Sequence, residues 1–163
     1  MTSEIEKYIC DHINEQDPLL VELTRKTNLR VLQPRMLSGH IQGELLSMLT
    51  AMVNPSQVLE LGTFTGYSAI CIARALGDHA LLHTIEQHDE LEGIASEFFV
   101  KADLHHKIQQ HFGDALTVMD SFTEPFDLVF MDADKREYDK YYNKLFDKGL
   151  LKVGSVIIAD NTL

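Results

Sequence analysis

Cysteine, basic residues and long apolar runs are all scarce in this chain, and each scarcity excludes something. Two cysteines in 163 residues, Cys10 and Cys71, cannot build a disulfide framework or a four-thiolate zinc site. Lys and Arg number 14 against 25 Asp and Glu, so the net charge is −11. A protein that lives on phosphate backbones carries the opposite balance, which makes nucleic acid a disfavoured partner. No apolar run approaches the ~18 residues of a membrane helix, so no membrane partner is expected. Met1–Lys7 has neither a basic start nor an apolar stretch, and the expected location is a reducing cytoplasm. Repeats, low-complexity tracts and Gly/Ser-rich linkers are missing as well. What remains is 45 % apolar, enough for one layered core. One domain is therefore expected over 1–163, with N-terminal helices over 1–54 and an α/β core over 55–163.

The first fifty residues carry helical spacing. Ile5, Tyr8, Ile9, His12 and Ile13 share a face behind Thr2 or Ser3 as cap. A second helical stretch runs from Pro18 to Val31. A third starts at Ser38, sets Ile41, Leu45, Leu46, Leu49 and Met52 on one apolar stripe, and stops before Asn54-Pro55. From residue 56 the rhythm becomes strand–helix alternation. Strands are predicted over Gln57–Leu61, Ala80–Glu86, Lys107–Phe112, Phe126–Asp132 and Ser155–Asp160. Helices are predicted over Tyr67–Leu76, Asp89–Ala102, Ala115–Met119 and Lys135–Phe146. Nearly continuous apolar strands separated by helices indicate a mostly parallel sheet with helices on both faces.

Ligands of such sheets bind outside the carboxyl ends of the strands. Polar residues gather there after every strand: Glu60 and Gly62, Glu86, Asp114, Asp132 with Asp134, and Asp160-Asn161. One acid at a strand end is ordinarily a solvated turn or a helix cap. Five in succession on one edge mark a site.

The first turn, Gly62-Thr63-Phe64-Thr65-Gly66, has G-x-x-x-G spacing where a dinucleotide loop has G-x-G-x-x-G, and no lysine follows to make a phosphate loop. Glu60 would repel a phosphate and suits a ligand with a cationic group. Glu86 closes the second strand, where a carboxylate can accept from both ribose hydroxyls. Together they favour S-adenosylmethionine over a nicotinamide dinucleotide. Asp132, Asp160 and Asn161 form an oxygen-only donor set suited to Mg²⁺, Mn²⁺ or Ca²⁺, whereas zinc would favour His or Cys. Lys135 follows Asp132 by three residues, which brings its amine beside that set. A lysine there is either a general base or the electrostatic partner of an oxyanion. The eight histidines show no metal-ligand spacing and read as structural or surface residues. Tyr138, Tyr141 and Tyr142 read as packing residues, with Tyr138 able to approach a substrate.

Three motifs in this order, Leu59–Ser68, Met131–Lys135 with Tyr138 and Tyr141, and Asp160–Leu163, closely resemble those of the cation-dependent O-methyltransferases. That family includes the plant caffeoyl-CoA enzymes, their bacterial relatives and, more distantly, catechol O-methyltransferase. The resemblance runs from about Gln33 to the last residue. It implies a Rossmann-like class I methyltransferase fold that uses S-adenosylmethionine and Mg²⁺. By similarity Ser38, Glu60, Gly62, Thr63, Ser68, Glu86, Ala115 and Asp134 would line the cofactor site, with Asp114 alongside. Asp132, Asp160 and Asn161 would hold the metal, and Lys135 would be the catalytic lysine. The implied reaction transfers a methyl group to a small catechol-like or phenolic acceptor, in a homodimer. The family continues past Asp160–Leu163 with a tryptophan-containing segment, a helix and two strands, and this chain has no tryptophan. The expectation is that it lacks those C-terminal strands and part of the acceptor pocket, leaving a sheet edge exposed. Three other readings stand beside the first: a tRNA hydroxyuridine O-methyltransferase, a catalytically idle cofactor-binding protein, and a nicotinamide-dependent dehydrogenase that the glycine spacing disfavours.

Overall fold

The computed structural model describes residues 3–162. Thr2, one of the two expected caps, and Leu163, the end of the last motif, lie outside them. Ser3 caps α1 (Glu4–His12) in a reciprocal capping box with Glu6. No residue of α1 is buried, and Ile5 and Tyr8 of its expected apolar face are exposed. Asp17 caps α2 (Pro18–Arg30), with proline at the first helical position. A 3₁₀ turn at Pro34–Met36 leads to α3 (Gly39–Val53). The stripe expected on α3 is displaced: the helix buries Gly43, Leu46 and Thr50, while Leu45 and Met52 are exposed. Gly43 explains the shift, because a Cβ there would lie 2.7 Å from Cys71 Sγ and 2.8 Å from the Tyr67 ring. The small residue lets α3 approach α4 (Tyr67–Arg74) closely, and the packing face follows that contact.

The strands are β1 (Gln57–Leu61), β2 (Leu81–Glu86), β3 (Ile108–Phe112), β4 (Phe126–Met131) and β5 (Leu151–Ala159). They pair in the order β3-β2-β1-β4-β5, every pair parallel. Helices α5 (Glu92–Lys101), α6 (Ala115–Val118) and α7 (Tyr138–Asp147) complete the set. Side chains of a strand alternate between faces, and here both faces are covered. Val58, Leu128 and Phe130 pack with residues of α2 to α5, while Leu59, Leu61, Val129 and Met131 pack with α6 and α7. This is the Rossmann-like arrangement expected for class I methyltransferases. Among the described residues, no helix is long and apolar enough to cross a membrane.

Two boundaries differ informatively. β5 begins at Leu151, four residues before its expected start, because Lys152–Ser155 bulge between paired segments: Phe126 faces Leu151, yet Leu128 faces Val156. Gly154 takes φ +97° in that bulge, and Ser155 Oγ donates to the Phe126 carbonyl at 2.6 Å. The segment after β4 opens with a 3₁₀ turn at Lys135–Glu137, capped by Asp134, before α7 starts at Tyr138.

At the far side of the sheet His83 Nδ1 and His111 Nε2 lie 3.0 Å apart, edged by Phe122 and Phe126. One ring must donate and the other accept, so the contact fails once both are protonated. Burial pushes both pKa values down, and His111 lowers that of His83 further. The unfolded chain therefore binds more protons than the fold below the ordinary histidine value of about 6.5. The stability these rings contribute is complete above that value and is lost as pH falls through the lowered range. The urea midpoint is expected to drop between pH 7 and pH 5.5, and to drop less in His111→Gln.

Candidate active site

The order of strands reverses between β1 and β4, and a crevice opens at their carboxyl ends. The chains meet closely there. Asp132 N–H donates to the Leu61 carbonyl at 2.8 Å, and Asp160 N–H donates to the Met131 carbonyl at 3.0 Å. Gly62 has φ +101°, and a Cβ on it would stand 2.3 Å from the Asp132 carbonyl oxygen. The turn Gly62–Gly66 is fixed from both sides. Thr65 shares a buried hydroxyl contact of 2.9 Å with Thr27 of α2, and Glu86 accepts from the Phe64 amide at 2.7 Å.

Above this floor lies a cavity of about 1180 Å³. Ser38, Gly62, Thr63, Ser68, Glu86, Ala115, Asp132, Asp134, Lys135, Asp160 and Asn161 all line it, so the structure brings most of the expected site residues to one wall. Glu60 and Asp114 do not line it. Glu60 is fully buried behind the floor, with Oε2 accepting from Thr84 at 2.5 Å, while Thr63 and Thr84 hydroxyls lie 2.5 Å apart. Its Oε1 has no hydrogen-bond partner. Burial pushes the Glu60 carboxyl up to about 8, opposed by Ser68 and Thr84 hydroxyls and assisted by the charges of Asp132 and Glu86. Glu60 thus holds its proton far more readily than an ordinary glutamate, and it is linked to the cavity wall through Thr84 and then Thr63. Asp114 caps α6, accepting from the Thr117 amide and hydroxyl at 2.9 Å each, and so presents Ala115 to the cavity.

Glu86 is 7 % exposed, and each of its oxygens accepts one backbone amide, from Phe64 and from His88. A carboxylate has about four lone-pair sites, so each oxygen keeps accepting capacity beyond its one amide, on a residue that lines the cavity. Asp134 is held by Arg136, which drives its carboxyl down to about 2. Lys135 Nζ donates to Asp132 Oδ1 at 2.5 Å and to the Tyr138 hydroxyl at 2.9 Å, and Tyr138 in turn donates to the Met131 carbonyl at 2.7 Å. Burial alone would lower the Lys135 pKa; Asp132 and Tyr138 outweigh it and hold the group above its ordinary value. Burial raises the Asp132 carboxyl, Lys135 opposes the rise, and Asp160 adds to it. Asn161 follows Asp160 with φ +52°, a conformation asparagine tolerates. Two carboxylates and one amide oxygen could hold a hard divalent cation.

Sequence reasoning missed Thr84 and the anchoring role of Tyr138. The signal for Thr84 was present: it lies two residues before Glu86, and parallel pairing sets it beside Glu60. Tyr141 packs in the core, as expected, and also lines the cavity, whereas Tyr142 is exposed and does not pack as expected.

Gly62→Ala combines a positive φ with a backbone clash and is expected to destabilise by about 2–4 kcal/mol. Gly39→Ala, at φ +79° with nothing within 4 Å, is expected to cost only about 1 kcal/mol; urea unfolding of both variants checks the contrast. Glu60 retains a proton in the fold at pH values where the unfolded chain has lost it. The stability from this group is therefore present below its ordinary value of 4.5 and lost as pH rises toward 8. Glu60→Gln should gain stability relative to the native chain as pH is raised from 5 to 8, read by paired denaturation curves.

The chain matches the O-methyltransferase family over residues 10–163. Caffeoyl-CoA O-methyltransferase 2 of Petunia hybrida is 36 % identical over 168 residues, covering 96 % of this chain and 67 % of the relative. Caffeoyl-CoA O-methyltransferase 1 of Nicotiana tabacum is 38 % identical over 128 residues, 75 % of this chain and 53 % of the relative. The chain thus spans about half to two thirds of these plant proteins. Catechol O-methyltransferase of Niastella koreensis is 31 % identical, with 98 % of this chain and 72 % of the relative aligned. The O-methyltransferase of Bacillus cereus in complex with SAH superposes with a TM-score of 0.90 at 29 % identity, over 98 % of this chain and 73 % of that one. The family match spans nearly the whole chain and the fold agrees with that of the superposed structure, and the chain belongs to the O-methyltransferase family.

Proposed function

We propose that this chain carries a divalent-cation-dependent transfer of a methyl group from S-adenosylmethionine to a hydroxyl of a small catechol-like or phenolic acceptor. One observation supports it above others: the Gly62–Gly66 turn with Glu86, and the oxygen donors Asp132, Asp160 and Asn161 with Lys135, open onto the same cavity. The residues fit the methyl donor. The missing Cβ at Gly62 lets the ends of β1 and β4 close up, which brings the Gly62–Gly66 turn beside Asp132 on the cavity wall, and Glu86 keeps lone pairs for a ribose diol. Ser38, Thr63, Ser68, Ala115 and Asp134 supply the rest of that wall, with Glu60 acting through Thr84 and Thr63 and Asp114 through Ala115. The donor set fits Mg²⁺, Mn²⁺ or Ca²⁺ by its all-oxygen chemistry.

S-adenosylmethionine supplies an electrophilic methyl: the acceptor oxygen's lone pair forms the C–O bond, the sulfonium sulfur keeps the C–S pair, and the hydroxyl proton leaves to solvent. A bound divalent cation would make that proton easier to lose. Lys135 is held as an ammonium by Asp132 and Tyr138, which favours its role as electrostatic partner of the oxyanion over that of general base. Much of the rate in such a site comes from holding two reactants in line. A cytoplasmic homodimer completes the proposal; exposed Leu45, Met48 and Met52 on α3 offer surface a second copy would cover.

The test is calorimetric titration of S-adenosylmethionine, then of catechol with and without Mg²⁺. Cofactor binding followed by Mg²⁺-dependent catechol binding is expected, and a folded chain that binds no cofactor overturns the reading. Lys135→Ala should lower kcat about 10²-fold or more without weakening S-adenosylhomocysteine binding.

A further inference from the structure

Cations are few in this acidic chain, and most are committed. Nine of the 14 form ion pairs with carboxylates, and Lys107 donates to the Leu76 carbonyl. Four others, Lys7, Arg25, Arg30 and Arg35, have no ion-pair partner among the described residues, and two of these, Arg30 and Arg35, line the cavity. The other cations on its wall, Lys135 and Arg136, are occupied by Asp132 and Asp134.

Charge on the wall is divided by element. The acids Glu86, Asp132, Asp134 and Asp160 stand at strand ends and Glu90 in the 3₁₀ turn Asp89–Leu91 after β2, whereas Arg30 ends α2 and Arg35 sits in the 3₁₀ turn that follows it. Backbone hydrogen bonds from Val31 to Thr27, Met36 to Gln33 and Leu37 to Pro34 hold that stretch in shape. Between the arginines Leu32 is fully exposed, and Met36 is 58 % exposed beside them. A helix dipole accounts for a cation at the end of α2, but not for Arg35, which lies outside any α-helix. A guanidinium fork matches carboxylate or phosphate, and the adjoining apolar side chains match an aromatic or aliphatic body.

We propose that Arg30 and Arg35 form an anion subsite that selects acceptors bearing a carboxylate or phosphate remote from the hydroxyl to be methylated. The inference rests on the methyl-transfer reading for its substrate and on the cavity wall for its chemistry. An anionic acceptor spans from the arginines on the helical side to the donors on the sheet side.

The experiment compares the native chain, Arg35→Lys and the double variant Arg30→Gln/Arg35→Gln on three catechols with the same ring: a side-chain carboxylate, its neutral amide and a side-chain phosphate. The native chain is expected to prefer an anionic acceptor by about tenfold or more in kcat/KM. The double variant should lose that preference with the amide rate unchanged, and Arg35→Lys should keep part of it. The better anion identifies the source of the negative charge. In parallel, binding of 3-phenylpropanoate and its amide is measured with S-adenosylhomocysteine present. Arginine-dependent binding of the acid without turnover of any catechol upholds the subsite and removes the methyl-transfer reading. Equal binding and equal kcat/KM for acid and amide in the native chain overturn the subsite. So does a double variant that loses S-adenosylhomocysteine affinity but keeps the acceptor preference, since the arginines would then serve the cofactor's carboxylate.

Discussion

Two backbones pass within hydrogen-bonding distance where β1 and β4 end, and one of them carries no side chain at the point of approach. The Asp132 amide reaches the Leu61 carbonyl, and Gly62 leaves open the volume its Cβ would have taken from the Asp132 carbonyl. The rest of the cavity is arranged around this contact. It fixes where Asp132 emerges, and through the next strand pairing where Asp160 and Asn161 emerge. Lys135 then returns to Asp132 from the first turn after β4, held by a tyrosine that is itself tied to the strand end.

Electrostatically the site is graded rather than uniformly acidic. The Glu60 carboxyl is pushed up by its burial, Asp134 is kept strongly acidic by an exposed arginine, and Asp132 shares its charge with Lys135. Carboxylates of three different characters thus sit within one strand-end cluster. Chain-wide excess of negative charge says nothing of this division, because environment sets each group's state.

The strand–helix alternation was legible because buried parallel strands are apolar runs of the right length, and every strand was placed within a few residues. The bulge in β5 was not legible: Val153-Gly154 reads as an interruption, and only pairing with Phe126 shows that Leu151 is already in the sheet. The α3 stripe was misjudged since periodicity counts hydrophobicity, whereas close packing on Cys71 and Tyr67 selected Gly43. In the site, types and spacing announced Gly62, Glu86, Asp132, Lys135 and Asp160. They could not say that Glu60 stands behind a pair of threonines, because that depends on which residues face it across β2. Arg30 and Arg35 carried no motif at all, and their place on the wall is a product of tertiary folding.

Glu60 also bears on how the sheet chooses its alignment. Its side chain shares the β1 face of Val58 and finds hydroxyl partners because Thr84 lies opposite in register. A shift of one residue along β1 would exchange its two faces and carry the carboxyl into the aliphatic layer of Leu59, Leu61 and Met131. There it would forfeit hydrogen bonding worth about 1–3 kcal/mol, and the leucines would confront threonine hydroxyls. A buried acid behind the cavity floor therefore also serves the alignment of the sheet, since it makes the register shifted by one residue costly whether or not a ligand is bound.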